Sequence, residues 1–271
     1  MAGWAALCGA LASRGLHWQG EELLILVLVL LLAELAWGSF WELATGTDWF
    51  GLGAGGRSAV RPARLPVLPY TQPDSPAGRL HRRLSRAVGW WRQVFWPIAG
   101  PALLGLVASV VLAAVLAVFL PDRLRPLNAA LVALIGLGVV QHRHGREPLA
   151  GQALVQVGLS WLAGHLAFAA LEGPSLILAV CFPVAAWGAL RIAAGRRGGN
   201  WLVNGGLAAS AALMLGLKQP LPAGVLGLLF FGRLALQISP VSAEGSAGAA
   251  LSNRTWPWLM LAMLAAALTV P

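Results

Sequence analysis

Four groups of polar residues stand in or beside long apolar stretches, and each suggests a chemistry. The first is Glu34, followed by Glu42 and Asp48. Glu34 falls midway along the apolar run Glu22–Ala44. An ionisable side chain at bilayer depth costs about 2.5–3.5 kcal/mol on insertion scales, and it normally faces protein or water. Such a carboxyl can carry a proton, hold a cation or pair with arginine. Protonated, it can also join two helices by a hydrogen bond. The second group is Gln152, Gln156 and Ser160, spaced to form a polar stripe on one side of a helix, with His165 projecting elsewhere from the same segment. A stripe of amides can line a cavity or hold a polar headgroup, and it can equally serve hydrogen bonding between helices.

The third group is Gln141-His142-Arg143-His144-Gly145-Arg146-Glu147. Its two histidines and one carboxylate are candidate metal ligands, but no further His or Cys cluster completes a four-ligand set. Two neighbouring arginines also repel a dication. No metal and no cofactor are therefore expected, and His142, His144 and Glu147 stand as polar candidates on one membrane face. The fourth group is Asn200 and Asn204, one turn apart, beside Arg196 and Arg197, with Arg191 and Arg233 near the same surface. Arginine forks and amides can bind phosphate. The same residues also suit a membrane boundary, where long basic side chains reach for water.

These groups need elements to position them, and the composition says what kind. Of 271 residues 58% are hydrophobic and only 11% charged, with a mean hydropathy of +0.73. Soluble domains carry about 25% charged residues. The net charge of +9 does not indicate nucleic-acid binding, because the arginines cluster between apolar runs. Eight such runs are long enough to count as spans: Glu22–Ala44, Val94–Leu120, Pro126–Val140, Leu149–Leu171, Pro174–Ile192, Trp201–Leu217, Leu221–Ile238 and Trp256–Val270. The expected fold is all-α, a polytopic transmembrane helix bundle of about eight spans. Residues 1–20, with Trp4 and Trp18, are too short to span and are expected as a surface segment, uncleaved because they lack a basic start. Residues 21–50 hold the first span and 94–271 the other seven. Pro183 is expected to kink the fifth span.

Between spans one and two lies Gly51–Gln93, the longest polar stretch, with eight arginines. Pro62, Pro66, Pro69, Pro73 and Pro76 make its first part an extended linker. In its second part Leu80, Leu84, Val88 and Trp91 recur at helical spacing, opposite Arg79, Arg82, Arg83 and Arg86. That pattern predicts a basic amphipathic interfacial helix whose arginines reach anionic lipid headgroups. With Gly51–Gln93 in the cytoplasm, 15 of the 19 basic residues fall inside. The bias predicts a bacterial-type inner membrane and both termini outside.

The stretch Trp96-Pro97-Ile98-Ala99-Gly100-Pro101-Ala102-Leu103-Leu104-Gly105 resembles the first helix of UbiA-type membrane prenyltransferases. The resemblance implies a helical bundle and a lipid-diphosphate substrate. Where that family carries its first Asp-rich motif this chain has Gln141–Glu147, and Ser239–Arg254 offers only Glu244 for the second. Without carboxylates to hold magnesium, diphosphate ionisation lacks electrophilic support. A catalytically degenerate relative is what the resemblance implies.

Walker, GxSxG, HExxH and CxxC motifs are all missing. The leading expectation is a non-enzymatic subunit, scaffold or assembly factor of a membrane complex. The alternatives are a transporter of small or lipid-linked molecules using Glu34, and the degenerate lipid-diphosphate enzyme. Membrane lipids and a membrane protein complex are the expected partners, and nucleic acid is not.

Overall fold

A computed structural model of the chain describes residues 1–17, 19–49, 51, 63, 75–238 and 247–269. Trp18, most of the proline-rich linker and residues 239–246 lie outside the described residues. Among the described residues the fold is entirely helical, and nine helices follow one another there. They are α1 (Ala2–Ala12), α2 (Gly20–Gly46), α3 (Pro76–Phe119), α4 (Arg125–Arg143), α5 (149–168), α6 (Gly173–Ala193), α7 (Gly199–Gly216), α8 (Pro220–Ile238) and α9 (Ala247–Ala267). Every apolar run expected to span is thus a helix. Four stretches are both long and apolar enough to cross a membrane: α2, α3, α6 and Asp122–Arg143, which contains α4.

Three helices contain a wide π turn, and two of these have a visible cause. In α3 the turn covers Trp91–Phe95, immediately before Pro97. Proline has no N–H and its ring clashes with the carbonyl four residues back, so the ladder widens there. In α5 the turn covers Leu154–Leu159, and the Ser160 hydroxyl donates to the Val155 carbonyl at 3.0 Å. The third, Leu32–Gly38 in α2, carries Glu34.

The α3 turn corrects one expectation. The basic amphipathic segment is not a separate helix, because Pro76–Trp90 runs through the π turn into the following apolar stretch as one 44-residue element. The Ser75 hydroxyl caps its start by accepting from the Gly78 N–H at 2.9 Å. Leu80, Leu84 and Trp91 are exposed, while Gly78, Ser85 and Gly89 are buried. The covered line is therefore made of small residues rather than of the predicted apolar side.

A second difference concerns the N-terminal segment. Instead of lying at the surface, α1 is enclosed, with Ala2, Ala5, Ala6, Cys8, Ala10 and Ala12 all buried. It and α5 contribute to both hydrophobic clusters of the molecule. One cluster joins them to α6, α7, α8 and α9, and the other joins them to α2, α3 and α4. Small residues explain the close approach. A Cβ at Gly164 would overlap the Ala6 carbonyl, and one at Gly9 would overlap the Trp161 carbonyl. Bare backbones at both positions let α1 and α5 cross in direct contact. At the sequence level α1 reads as too short to span; its packing role depends on two glycines far apart in the chain, Gly9 and Gly164.

Pro183 lies inside α6, as its sequence position requires. Its ring and the Ala179 carbonyl it frees both face Gly158, at 3.0 and 3.1 Å from that residue's Cβ position. The irregular turn of α5 and the proline of α6 therefore pack against each other.

Candidate functional site

Glu34 is the first candidate to place. It lies 14 residues from the start of α2 and 12 from its end, about 18–21 Å from either terminus at helical rise. Ala33, Ala36 and Trp37 point into the core, which turns Glu34 and Leu35 outward. The carboxylate is half-exposed, at 52% of its side-chain area. One oxygen accepts the Gly3 N–H of α1 at 2.6 Å. The other lies 3.6 Å from the Met1 amine. Free N–H groups in a first helical turn favour an anion, so Glu34 acts as an N-terminal cap for α1. Beside it runs an open groove of about 570 Å³ between α1 and α2, lined by Gly3, Trp4, Leu7, Val27, Leu30, Leu31, Glu34 and Leu35. Glu34 is the one titratable side chain in that lining.

The predicted amide stripe is not a continuous feature. The π turn of α5 lies within it, and the stripe ends in a buried Ser160 engaged with Val155. Gln152 and Gln156 are half-buried, and neither lines the Glu34 groove. His165 is fully buried, with Nε2 3.0 Å from the Ala170 carbonyl and Nδ1 without a hydrogen-bond partner. Cys8 and Cys181 are free and buried. Two tryptophans of the interior use their ring N–H groups across helices, Trp161 to the Ser175 hydroxyl and Trp37 to the Asn128 side-chain oxygen, each at 3.0 Å.

At the end of the bundle where α4, α6 and α8 finish, the predicted candidates split into two sets. Glu147 pairs with Arg196 at 3.1 Å, bringing the α4–α5 and α6–α7 loops together. Both partners are about half-exposed, so the pair contributes little to stability. His142 and His144 are exposed at the end of α4. Among the described residues no three His, Cys, Asp or Glu side chains are placed to hold a metal ion.

Asn200 and Asn204 belong to the other set, and they reveal a residue that the sequence placed only near this surface. Arg233 of α8 is 2% exposed and extends its guanidinium between them. Its two terminal nitrogens donate to the Asn204 and Asn200 side-chain oxygens, at 2.6 and 3.1 Å. Gln237, one turn further along α8, donates to the same Asn204 oxygen at 3.2 Å. The Arg233 Nε–H has no partner. A buried cation normally requires a counter-charge or several hydrogen bonds, and here neutral amides supply them. The available signal was paired spacing, Asn200 with Asn204 on one helix and Arg233 with Gln237 on the next, each i, i+4.

Arg79, Arg82, Arg83 and Arg86 are all exposed on α3. Arg191 follows a different course, with its guanidinium 5.8 Å over the Trp187 ring and its NH2 group donating to the Arg197 carbonyl at 2.8 Å. The chain matches no family model, no curated protein and no solved structure.

Proposed function

We propose that this chain is a multi-span integral membrane protein of about eight crossings, serving as a non-enzymatic subunit, scaffold or assembly factor of a membrane complex. The observation that carries the reading is how the interior polar groups are used. Ser160, Ser175, Asn128, Trp37, Trp161 and Arg233 all make hydrogen bonds within the bundle. Groups engaged in this way fix helix packing and, among the described residues, leave no polar route between the ends of the bundle. A transport path through Glu34 would need the Gln152–Gln156–Ser160 stripe on the same groove, and those residues lie elsewhere. A lipid-diphosphate enzyme would need carboxylates gathered for magnesium, and Glu147 is committed to Arg196.

In this reading the Gly51–Gln93 side is cytoplasmic in a bacterial inner membrane, because 15 of the 19 basic residues then lie inside. Arg79, Arg82, Arg83 and Arg86 face the cytoplasm at the foot of α3 and meet anionic headgroups. The exposed apolar side chains of α3, among them Ile98, Val107, Val111, Val118 and Phe119, face acyl chains or another subunit.

The test is purification from the native membrane in mild detergent, with every polypeptide in the particle identified. Stoichiometric companions are expected and would identify the process served. A particle of this chain alone, carrying a lipid or isoprenoid, would contradict the reading.

A further inference from the structure

Glu34 combines three properties that are seldom found together. It sits midway along a helix long enough to cross a membrane, it points away from the core, and its carboxylate is half-exposed at the wall of an otherwise apolar groove. An ionised carboxylate offers about four acceptor positions. The Gly3 N–H fills one at 2.6 Å, and the Met1 amine, at 3.6 Å, is beyond hydrogen-bonding distance. The remaining acceptor capacity opens toward the groove. Left against hydrocarbon it would be unsatisfied, which polar groups at that depth do not tolerate.

Depth limits what can supply the missing donors. The hydrocarbon core is about 30 Å thick, so a headgroup would have to descend about 15 Å to reach the middle. Acyl chains fill apolar space but carry no donor. A second transmembrane helix meets both requirements, because it can lie along Val27, Leu30, Leu31 and Leu35 and present a donor side chain at the level of Glu34. Donors on one helix facing acceptors on another are a usual form of pairing in membranes.

We propose that the α1–α2 groove is a docking surface for a transmembrane helix of a partner subunit, and that Glu34 recognises a hydrogen-bond donor, such as a Lys, Arg or hydroxyl side chain, at mid-membrane depth on that helix. The proposal rests on the complex-subunit reading above and names the surface that reading requires. The wide turn Leu32–Gly38 supports it, since π turns commonly mark sites where a helix serves something other than its own packing.

The experiment compares native-membrane purifications of the wild-type chain, Glu34→Leu and Val27→Trp. The two positions are exposed to a similar degree, at 52% for the Glu34 side chain and 49% for Val27, so neither substitution disturbs the core. Folding is checked by a single symmetric peak in size exclusion and an unchanged melting temperature. Glu34→Leu removes the acceptor, and Val27→Trp fills the groove without touching the carboxylate. The expected result is that both release the same subunit, with its recovery falling about tenfold or more, as loss of a buried hydrogen bond to a charged group implies. Retention of that subunit by both variants overturns the proposal. Release by Val27→Trp alone also overturns it, because the carboxylate would not then be the recognising group. If the wild-type chain brings down no subunit at all, the complex-subunit reading fails first, and the groove proposal fails with it. A tightly bound lipid in place of a subunit overturns both in the same way.

Discussion

Arg233 and Glu34 are both charged groups in apolar helices, and the molecule treats them in opposite ways. Arg233 is 2% exposed, and two asparagines on the neighbouring helix satisfy its terminal nitrogens. Glu34 is half-exposed, holds one backbone N–H, and opens onto a groove. Their own sequences do not separate them, since each is a lone charge in an apolar run. The difference lies in the neighbouring helix. α7 presents Asn200 and Asn204 one turn apart, matching the span of a guanidinium. α1 presents only backbone. A charge closed on all sides serves the fold, whereas a charge left open has capacity for something outside it.

The comparison fails first if closing the arginine contributes nothing. Arg233→Ala leaves two buried amide oxygens without a donor, and a loss of about 3 kcal/mol in unfolding free energy is expected. Thermal unfolding in detergent would show it as a marked fall in Tm. Arg233→Lys keeps the charge and loses the fork, so an intermediate Tm is expected. An unchanged Tm for Arg233→Ala would remove the distinction between the two sites.

The next effect concerns the helix that Glu34 caps. Gly164→Ala would push α1 off α5, because its Cβ would overlap the Ala6 carbonyl. Overpacking of this kind costs about 2 kcal/mol, again read as a lowered Tm. The same variant is expected to weaken the Gly3–Glu34 contact and so to lower partner recovery as well. A smaller effect is expected at Trp37→Phe, which removes the donor to Asn128 and costs about 1 kcal/mol.

The smallest effect on stability belongs to Glu34 itself. Glu34→Leu changes an exposed position, and its effect on unfolding free energy is expected to stay within about 0.5 kcal/mol. A large loss of Tm in Glu34→Leu would make the carboxylate a structural cap for α1 and nothing more. That outcome would place both charges in the same class.

Much of the architecture was legible in the sequence because long apolar runs have few alternatives to helix. Each run from Glu22–Ala44 to Trp256–Val270 became one, and the boundaries shifted by only a few residues in most cases. The exceptions have local causes. Pro76–Trp90 was separable by composition, yet a helix can pass through Pro97 by widening to a π turn, so the expected break between interfacial helix and span is absent. The final helix begins at Ala247, well before Trp256, because small and polar residues extend it beyond the apolar stretch.

The candidate sites were less legible, since they depend on which helices become neighbours. Glu34 was visible as a charge in an apolar run, but the group it caps is Gly3, 31 residues away. Asn200 and Asn204 were visible as a one-turn pair, and Arg233 was noted nearby, but the cage needs α7 and α8 in register. The Gln152–Gln156–Ser160 stripe assumed regular helical spacing, and the turn at Leu154–Leu159 interrupts it. α1 was the hardest to read. It is short and apolar without periodicity, and its burial follows from glycines on another helix.

The central claim is that this chain works inside a larger membrane assembly. Native mass spectrometry of the wild-type particle, released directly from its own membrane, tests it most directly. The account predicts a mass that requires at least one different polypeptide in fixed stoichiometry with this chain. A mass equal to the chain alone, or to the chain with lipid, would contradict it.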